Sequence, residues 1–184
     1  VKIMIVRHGK PDIDVSKKVF LAEMHTWMQN YNESEVSENC PRHLSYNIPV
    51  NGLFVFSSPA PRALTSLKMM GLKPDVIDPV FHEAQLAVLN FPYCKLPPLK
   101  YLFLLRMLWF MGYAKNIESC PSAWRRAASA ASMLTTCAEN NSPVLLMGHG
   151  IINKMIGSQL KHAGFRKVDV IDKSYWQTDV YEKD

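Results

Sequence analysis

The sequence predicts an α/β fold, a three-layer sandwich with a mostly parallel central sheet and helices on both faces. Three observations point there. Residues 2–6, 52–56 and 144–147 are continuous apolar runs of strand length, each closed by polar residues or glycine, as expected of strands buried on both faces. Helical patterns lie between these runs, the alternation that layers helices on a parallel sheet. The chain has 184 residues, 48% hydrophobic and 20% charged, and no internal repeat, which suits one domain over residues 1–184 with a sizeable core.

In chain order, residues 2–6 form the first strand and residues 18–30 a helix. The strand at 52–56 leads into a helix at 61–70, with Pro61 suited to its first turn. Residues 75–81 are a weaker strand. Pro92, Pro97 and Pro98 mark an irregular stretch that opens an apolar insertion at about 90–115. Within it, residues 99–113 are interrupted only by Lys100, Arg106 and Gly112, so a helix buried against the sheet layer is expected, with a lid over the strand ends as the alternative. An Ala-rich helix at 121–139 begins with Pro121. The strand at 144–147 feeds a helix at 151–161, and residues 175–181 alternate enough for an edge strand.

Lys and Arg number 21 against 16 Asp and Glu, a net charge of +5 that favours an anionic ligand. There is no run of five basic residues and no basic region interleaved with aromatics, so nucleic acid is not an expected partner. A phosphorylated small molecule or phosphoprotein fits better. Cys40, Cys94, Cys120 and Cys137 form no CxxC pair and are expected as free thiols in a reducing, cytoplasmic setting. The opening apolar stretch is too short for a signal peptide, and residues 102–113 fall well short of the roughly 20 residues that span a bilayer. HExxH, P-loop and EF-hand patterns are absent, so neither metal nor other cofactor is expected.

The chemistry-bearing residues sit at strand ends, where ligands of open α/β sheets bind. Arg7-His8-Gly9 follows the first strand, and Gly148-His149-Gly150 follows the strand at 144–147 and opens a helix. Glycine permits close backbone approach, and amides at a helix start favour an anion, which makes Gly150 a candidate phosphate contact. Ser57-Ser58-Pro59 ends a third strand, with Arg62 one turn into the next helix. Two histidines, each beside glycine and one beside arginine, form a constellation rather than isolated core histidines.

These segments resemble the histidine phosphatase superfamily, with its phosphoglycerate-mutase-like fold. Arg7-His8-Gly9 is similar to the family's RHG motif, and Ser57-Ser58-Pro59 through Arg62-Ala63 to its SSP-x-x-RA segment. Glu83 corresponds to its post-strand acid, Gly148-His149-Gly150 to its second histidine, and Asn116-Ile117-Glu118-Ser119, before Arg125 and Arg126, to a GES-type segment. The resemblance implies a metal-independent phosphatase working through a phosphohistidine on His8. Arg7, Arg62 and His149 would hold the phosphoryl oxygens and Glu83 would serve as acid and then base. Lys10 and Trp109 are expected to touch the substrate, Trp109 from an apolar wall facing the leaving group. His25, His43, His82 and His162 are read as structural.

Pro11 and Asp14 depart from the family, which often has Ser or Thr and then Asn there; an ionised Asp14 turned to phosphate would repel it. The alternatives are a phosphomutase of the phosphoglycerate-mutase type, disfavoured because Lys95, Lys100 and Arg106 of the insertion are scattered among large apolar groups, and a non-catalytic phospho-ligand-binding module. A membrane-surface or partner-docking role rests on the apolar insertion alone.

Overall fold

The computed structural model describes residues 1–37, 52–87, 89, 95–140, 143–171 and 174–184. Cys40, His43, Pro92 and Cys94 lie outside the described residues. In chain order the elements are β1 (Lys2–Arg7), β2 (Val19–Phe20), α1 (Met24–Glu33), β3 (Phe54–Ser57), α2 (Pro61–Met69), β4 (Val76–Ile77), β5 (Lys95–Leu96), α3 (Pro98–Phe110), α4 (Cys120–Asn140), β6 (Val144–Gly148), α5 (Gly150–His162), β7 (Arg166–Ile171) and β8 (Thr178–Glu182).

The main sheet has the order β4-β3-β6-β1-β8-β7. Its β4, β3, β6 and β1 pair in parallel, whereas β8 runs antiparallel to β1 and β7. Side chains alternate across a strand, and the core divides accordingly. Ile3, Ile5, Val144 and Leu146 pack with α4 and α5 on one face, while Met4, Val6, Leu145 and Met147 pack with Ala63 and Leu67 of α2 on the other. This is the expected three-layer sandwich with a mostly parallel sheet.

Register positions the site. Arg7 of β1 pairs with Gly148 of β6, and Ser57 of β3 pairs with Met147. The ladder then continues one residue further, as His8 N donates to Gly148 O at 3.1 Å and Ser58 N to Met147 O at 3.0 Å. Three strand ends are thereby drawn to one edge of the sheet.

Several expected elements are redrawn. The helix expected at 18–30 begins only at Met24, because Val19–Phe20 pairs with β5 and Glu23 Oε2 accepts the Phe20 amide at 2.7 Å, starting a short 3₁₀ turn instead. The strand expected at 75–81 is confined to Val76–Ile77. Pro79 has no amide to donate, and the Asp78 side chain accepts from Val80 N in a 3₁₀ turn. The strand near the C-terminus is not an edge: β8 lies inside the sheet, covered by β7. The sequence reading missed β7 because it is a mostly exposed border strand with charges along it.

The apolar insertion is corrected too. The α3 helix buries only Pro98, Tyr101, Leu105 and Trp109, one stripe at helical spacing, and leaves most of its remaining apolar residues exposed. Tyr101 joins a satellite cluster with Leu21, Met24 and Trp27, and Trp109 enters the main core beside Phe81 and Ala84.

Candidate active site

The turn after β1 presents His8, which is 2% exposed. Its Nδ1 lies 2.7 Å from Gly9 O. A carbonyl only accepts, so Nδ1 carries the ring proton in neutral imidazole and Nε2 keeps its lone pair. Arg62 Nε donates to that Nε2 at 3.2 Å. Gly9 must be glycine: a Cβ there would come within 2.6 Å of both the Trp176 ring and Val36.

Arg62 is itself braced. Its Nη1 donates to Tyr31 O and Asn32 O, both at 3.2 Å, at the end of α1, and its guanidinium lies 4.9 Å from the centre of the Tyr31 ring. Helix C-terminal carbonyls favour a cation there. Ser66 Oγ, bonded to Arg62 O, accepts the Gly9 amide at 2.9 Å and ties α2 to the His8 turn.

His149 is fully buried, with its ring centre 5.0 Å from that of His8. Its Nε2 is 2.8 Å from Ser58 Oγ, and its amide donates to Asn153 Oδ1. Asn153 Nδ2 in turn donates to Val6 O, so one side chain links β1 to the start of α5. Burial pushes both histidines well below the ordinary imidazole range; the next largest cause is His149 for His8 and the Arg62 charge for His149. Both are neutral around pH 7. Two buried side-chain nitrogens here, Arg7 Nε and His149 Nδ1, have no hydrogen-bond partner among the described residues.

Glu83 follows the Pro79–Phe81 turn. Its carboxylate accepts from Ile151 N at 3.1 Å, from Ile152 N at 3.0 Å and from its neighbour Ala84 N at 3.0 Å. The first amides of a helix have no internal partner, so the first two bonds cap α5 from outside. Two arginines hold the chain on either side. Arg126 Nη1 donates to Val80 O and His82 O at 2.7 and 2.8 Å while pairing with Glu118 through Nε and Nη2 at 2.9 and 2.7 Å. Arg106 Nη2 donates to Ala84 O at 2.7 Å. A cavity of 220 Å³ is lined by Arg7, Glu83, His149, Gly150, Asn153 and others, and a Cβ on Gly150 would stand 3.5 Å from Arg7 Nε and 3.7 Å from Glu83 Oε2.

The structure thus brings Arg7, His8, Arg62, Glu83, His149 and Gly150 together. Trp109 is not among them, which corrects the expectation that it meets substrate: it is fully buried, and its indole N–H donates to Glu118 O at 2.8 Å. Lys10 is exposed and does not line the cavity. Asp14 is turned away into a local surface turn, accepting from Ser16 N at 2.8 Å and Ser16 Oγ at 2.6 Å, bonds that lower its pKa. Pro11 is buried and bridges to Val36.

The sequence reading missed Ser58, Asn153, Tyr31 and the turn at Tyr175 and Trp176. Tyr175 lies 4.7 Å from the Arg7 guanidinium and 6.0 Å from the His8 ring. Trp176 has φ of 65°, left-handed backbone rare for so bulky a residue, and is held there by burial of its ring over Gly9. Of these, Ser58 had a visible signal in the Ser57-Ser58-Pro59 strand end. Among the described residues no three His, Cys, Asp or Glu side chains form a metal-binding group.

No protein family model and no curated protein matches the sequence. Solved structures do. The open reading frame Rv3214 of Mycobacterium tuberculosis is 18% identical with a TM-score of 0.58, over 84% of this chain and 77% of that one. A histidine-to-alanine mutant of phosphoserine phosphatase from Entamoeba histolytica, in complex with phosphoserine, is 16% identical with a TM-score of 0.53 over 97% and 94%. A mutant of the Thermus thermophilus protein TTHB049 is 18% identical with a TM-score of 0.54 over all of both chains. With its backbone following these proteins over most of its length, the chain shares their fold.

Proposed function

We propose that this protein is a phosphatase that hydrolyses a phosphate monoester, on a small molecule or a phosphoprotein, through a phosphohistidine on His8 and without a metal. The observation that carries the reading is the state of His8: Nδ1 is held by Gly9 O, so Nε2 carries the lone pair, which accepts from Arg62 Nε. The unpartnered Arg7 Nε and His149 Nδ1 support it, since buried polar atoms are nearly always satisfied and an anionic ligand would satisfy these. The phosphoserine complex of the Entamoeba phosphatase, alike in fold, agrees with a monoester substrate.

In this mechanism Nε2 attacks phosphorus in line. The P–O bond to the alcohol breaks, its electron pair stays on oxygen, and protonated Glu83 supplies the proton. Arg7, Arg62, His149 and the Gly150 amide stabilise the equatorial oxygens, while Gly9 O stabilises the positive ring of phosphorylated His8. Water then attacks the phosphohistidine and passes its proton to Glu83, releasing inorganic phosphate and restoring the starting state. The chain is read as one cytoplasmic catalytic domain over 1–184, with the 90–115 segment as an insertion and Lys10 at the rim of the substrate site.

The test is a panel of phosphate monoesters with excess chelator, with and without vanadate, which imitates five-coordinate phosphorus. Turnover that survives chelator and is blocked by vanadate supports the proposal; tight phosphate binding without turnover of any ester would favour a binding module.

A further inference from the structure

The α3 helix carries an apolar face that nothing among the described residues covers. Phe103 is 65% and Met111 81% exposed, and Leu99, Leu104, Met107 and Phe110 are each exposed by almost half. At 3.6 residues per turn the five in the helix fall within one arc of about 140°, and Met111 follows its last turn. Lys100 falls inside the same arc, and the buried stripe of Tyr101, Leu105 and Trp109 lies opposite.

Charge identifies the occupant. Between Glu83 and Glu118 the sequence has no acidic residue, yet it holds Lys95, Lys100, Arg106 and Lys115. Lys95 stands in the β2–β5 ribbon that leads directly into α3, with its Nζ 5.1 Å from the centre of the Phe20 ring. Lys95, Lys17 and Lys18 line a cavity of 390 Å³ together with Phe20 and Trp27. The carboxylates there are engaged locally, Asp14 with Ser16 and Glu23 with the Phe20 amide. A second copy docked by twofold symmetry would bring the same α3 segment, basic and without acidic residues, against itself, with Lys100 inside the apolar contact. An anionic bilayer surface suits both features: apolar side chains enter the headgroup and acyl boundary while lysines reach back to the phosphates.

We propose that the exposed face of α3 is an interfacial anchor that seats the protein on anionic lipid. The helix lies in the surface; among the described residues no helix is long and apolar enough to cross a membrane. The proposal does not depend on the phosphatase reading, because its readout is binding.

The experiment is co-flotation of the full chain with vesicles of phosphatidylcholine alone or mixed with phosphatidylglycerol. Wild type should float with the mixed vesicles, less so as salt rises. Lys100→Glu and the double variant Phe103→Ser/Phe110→Ser should each bind roughly tenfold more weakly with unchanged circular dichroism. Met111→Ser, at the most exposed of these positions, serves if the double variant does not fold. Absence of wild-type flotation, or equal flotation of wild type and variants, overturns the proposal. So does a concentration-dependent dimer in ultracentrifugation that the same substitutions dissolve while vesicles bind nothing, which would assign the face to a second copy.

Discussion

Arg62 Nε donates a hydrogen bond, 3.2 Å long, to His8 Nε2, the nitrogen whose lone pair would attack phosphorus. The proposed clamp therefore donates to the proposed nucleophile itself. An arriving phosphate must draw the Arg62 N–H onto one of its own oxygens, which frees Nε2 at the moment the phosphorus is in reach. The Tyr31 and Asn32 carbonyls keep the guanidinium in place through that exchange.

Arg62→Ala is expected to lower kcat/KM by about 100- to 1000-fold, the scale for losing one preorganised donor to a transition-state oxyanion. It should also raise the His8 pKa, because a positive charge and a donor to Nε2 both disappear. Steady-state kinetics and NMR titration of the His8 ring check the two effects; a fall in activity with no movement of the His8 titration would separate Arg62 from the nucleophile.

Glu83→Gln should slow esters of poorly acidic alcohols far more than aryl esters, whose leaving groups depart without a proton. The variant also places an amide donor near the Ile151 and Ile152 amides that the carboxylate now accepts, so a stability loss of about 0.5–2 kcal/mol, typical of a lost helix cap, should accompany it. Equal slowing of both ester classes would remove Glu83 from the acid role.

Arg126 touches neither His8 nor the cavity, yet it holds the carbonyls of Val80 and His82 just before Glu83. Arg126→Met is expected to show a weaker form of the Glu83→Gln signature, with the penalty concentrated on poor leaving groups. Arg126→Lys should restore it only in part, because one ammonium cannot reproduce the planar fork shared between Glu118 and the two carbonyls. Rates that fall uniformly with the melting temperature would mean that Arg126 acts on stability alone.

Burial holds His8 and His149 well below the ordinary imidazole value of about 6.5, so below that pH the unfolded chain binds more protons than the native one. The stability they contribute is complete above about pH 6.5 and is lost as pH falls toward their native values. The ligand-free melting temperature should therefore drop with acidification, and His149→Gln should flatten that slope. Vanadate should reduce the drop in wild type, because an anion among these rings favours their charged form. A slope unchanged in His149→Gln would contradict the assignment.

The sheet and the site were legible to different degrees, for physical reasons. Strands such as Ile3 to Val6 are buried on both faces, so their composition is unambiguous, and motif residues at their ends follow from the strands. β7 left little trace because an exposed border strand needs no apolar alternation. Trp109 and Phe103 look alike in sequence, but only one helical stripe of α3 meets a partner, and which stripe depends on tertiary placement. Asn153 and Tyr175 meet Val6, Arg7 and His8 through contacts spanning long sequence separations, which local pattern cannot reveal.

His8 is expected to become phosphorylated during turnover. Rapid acid-free quenching of wild type with a labelled aryl phosphate should trap label that is acid-labile and stable to base, mapping to the peptide that contains Arg7-His8-Gly9. His8→Ala should retain the fold by circular dichroism, trap no label and keep well under about a tenth of the rate. Wild-type turnover with no trapped label at His8, or a His8→Ala variant that still hydrolyses the ester at a comparable rate, would contradict the account.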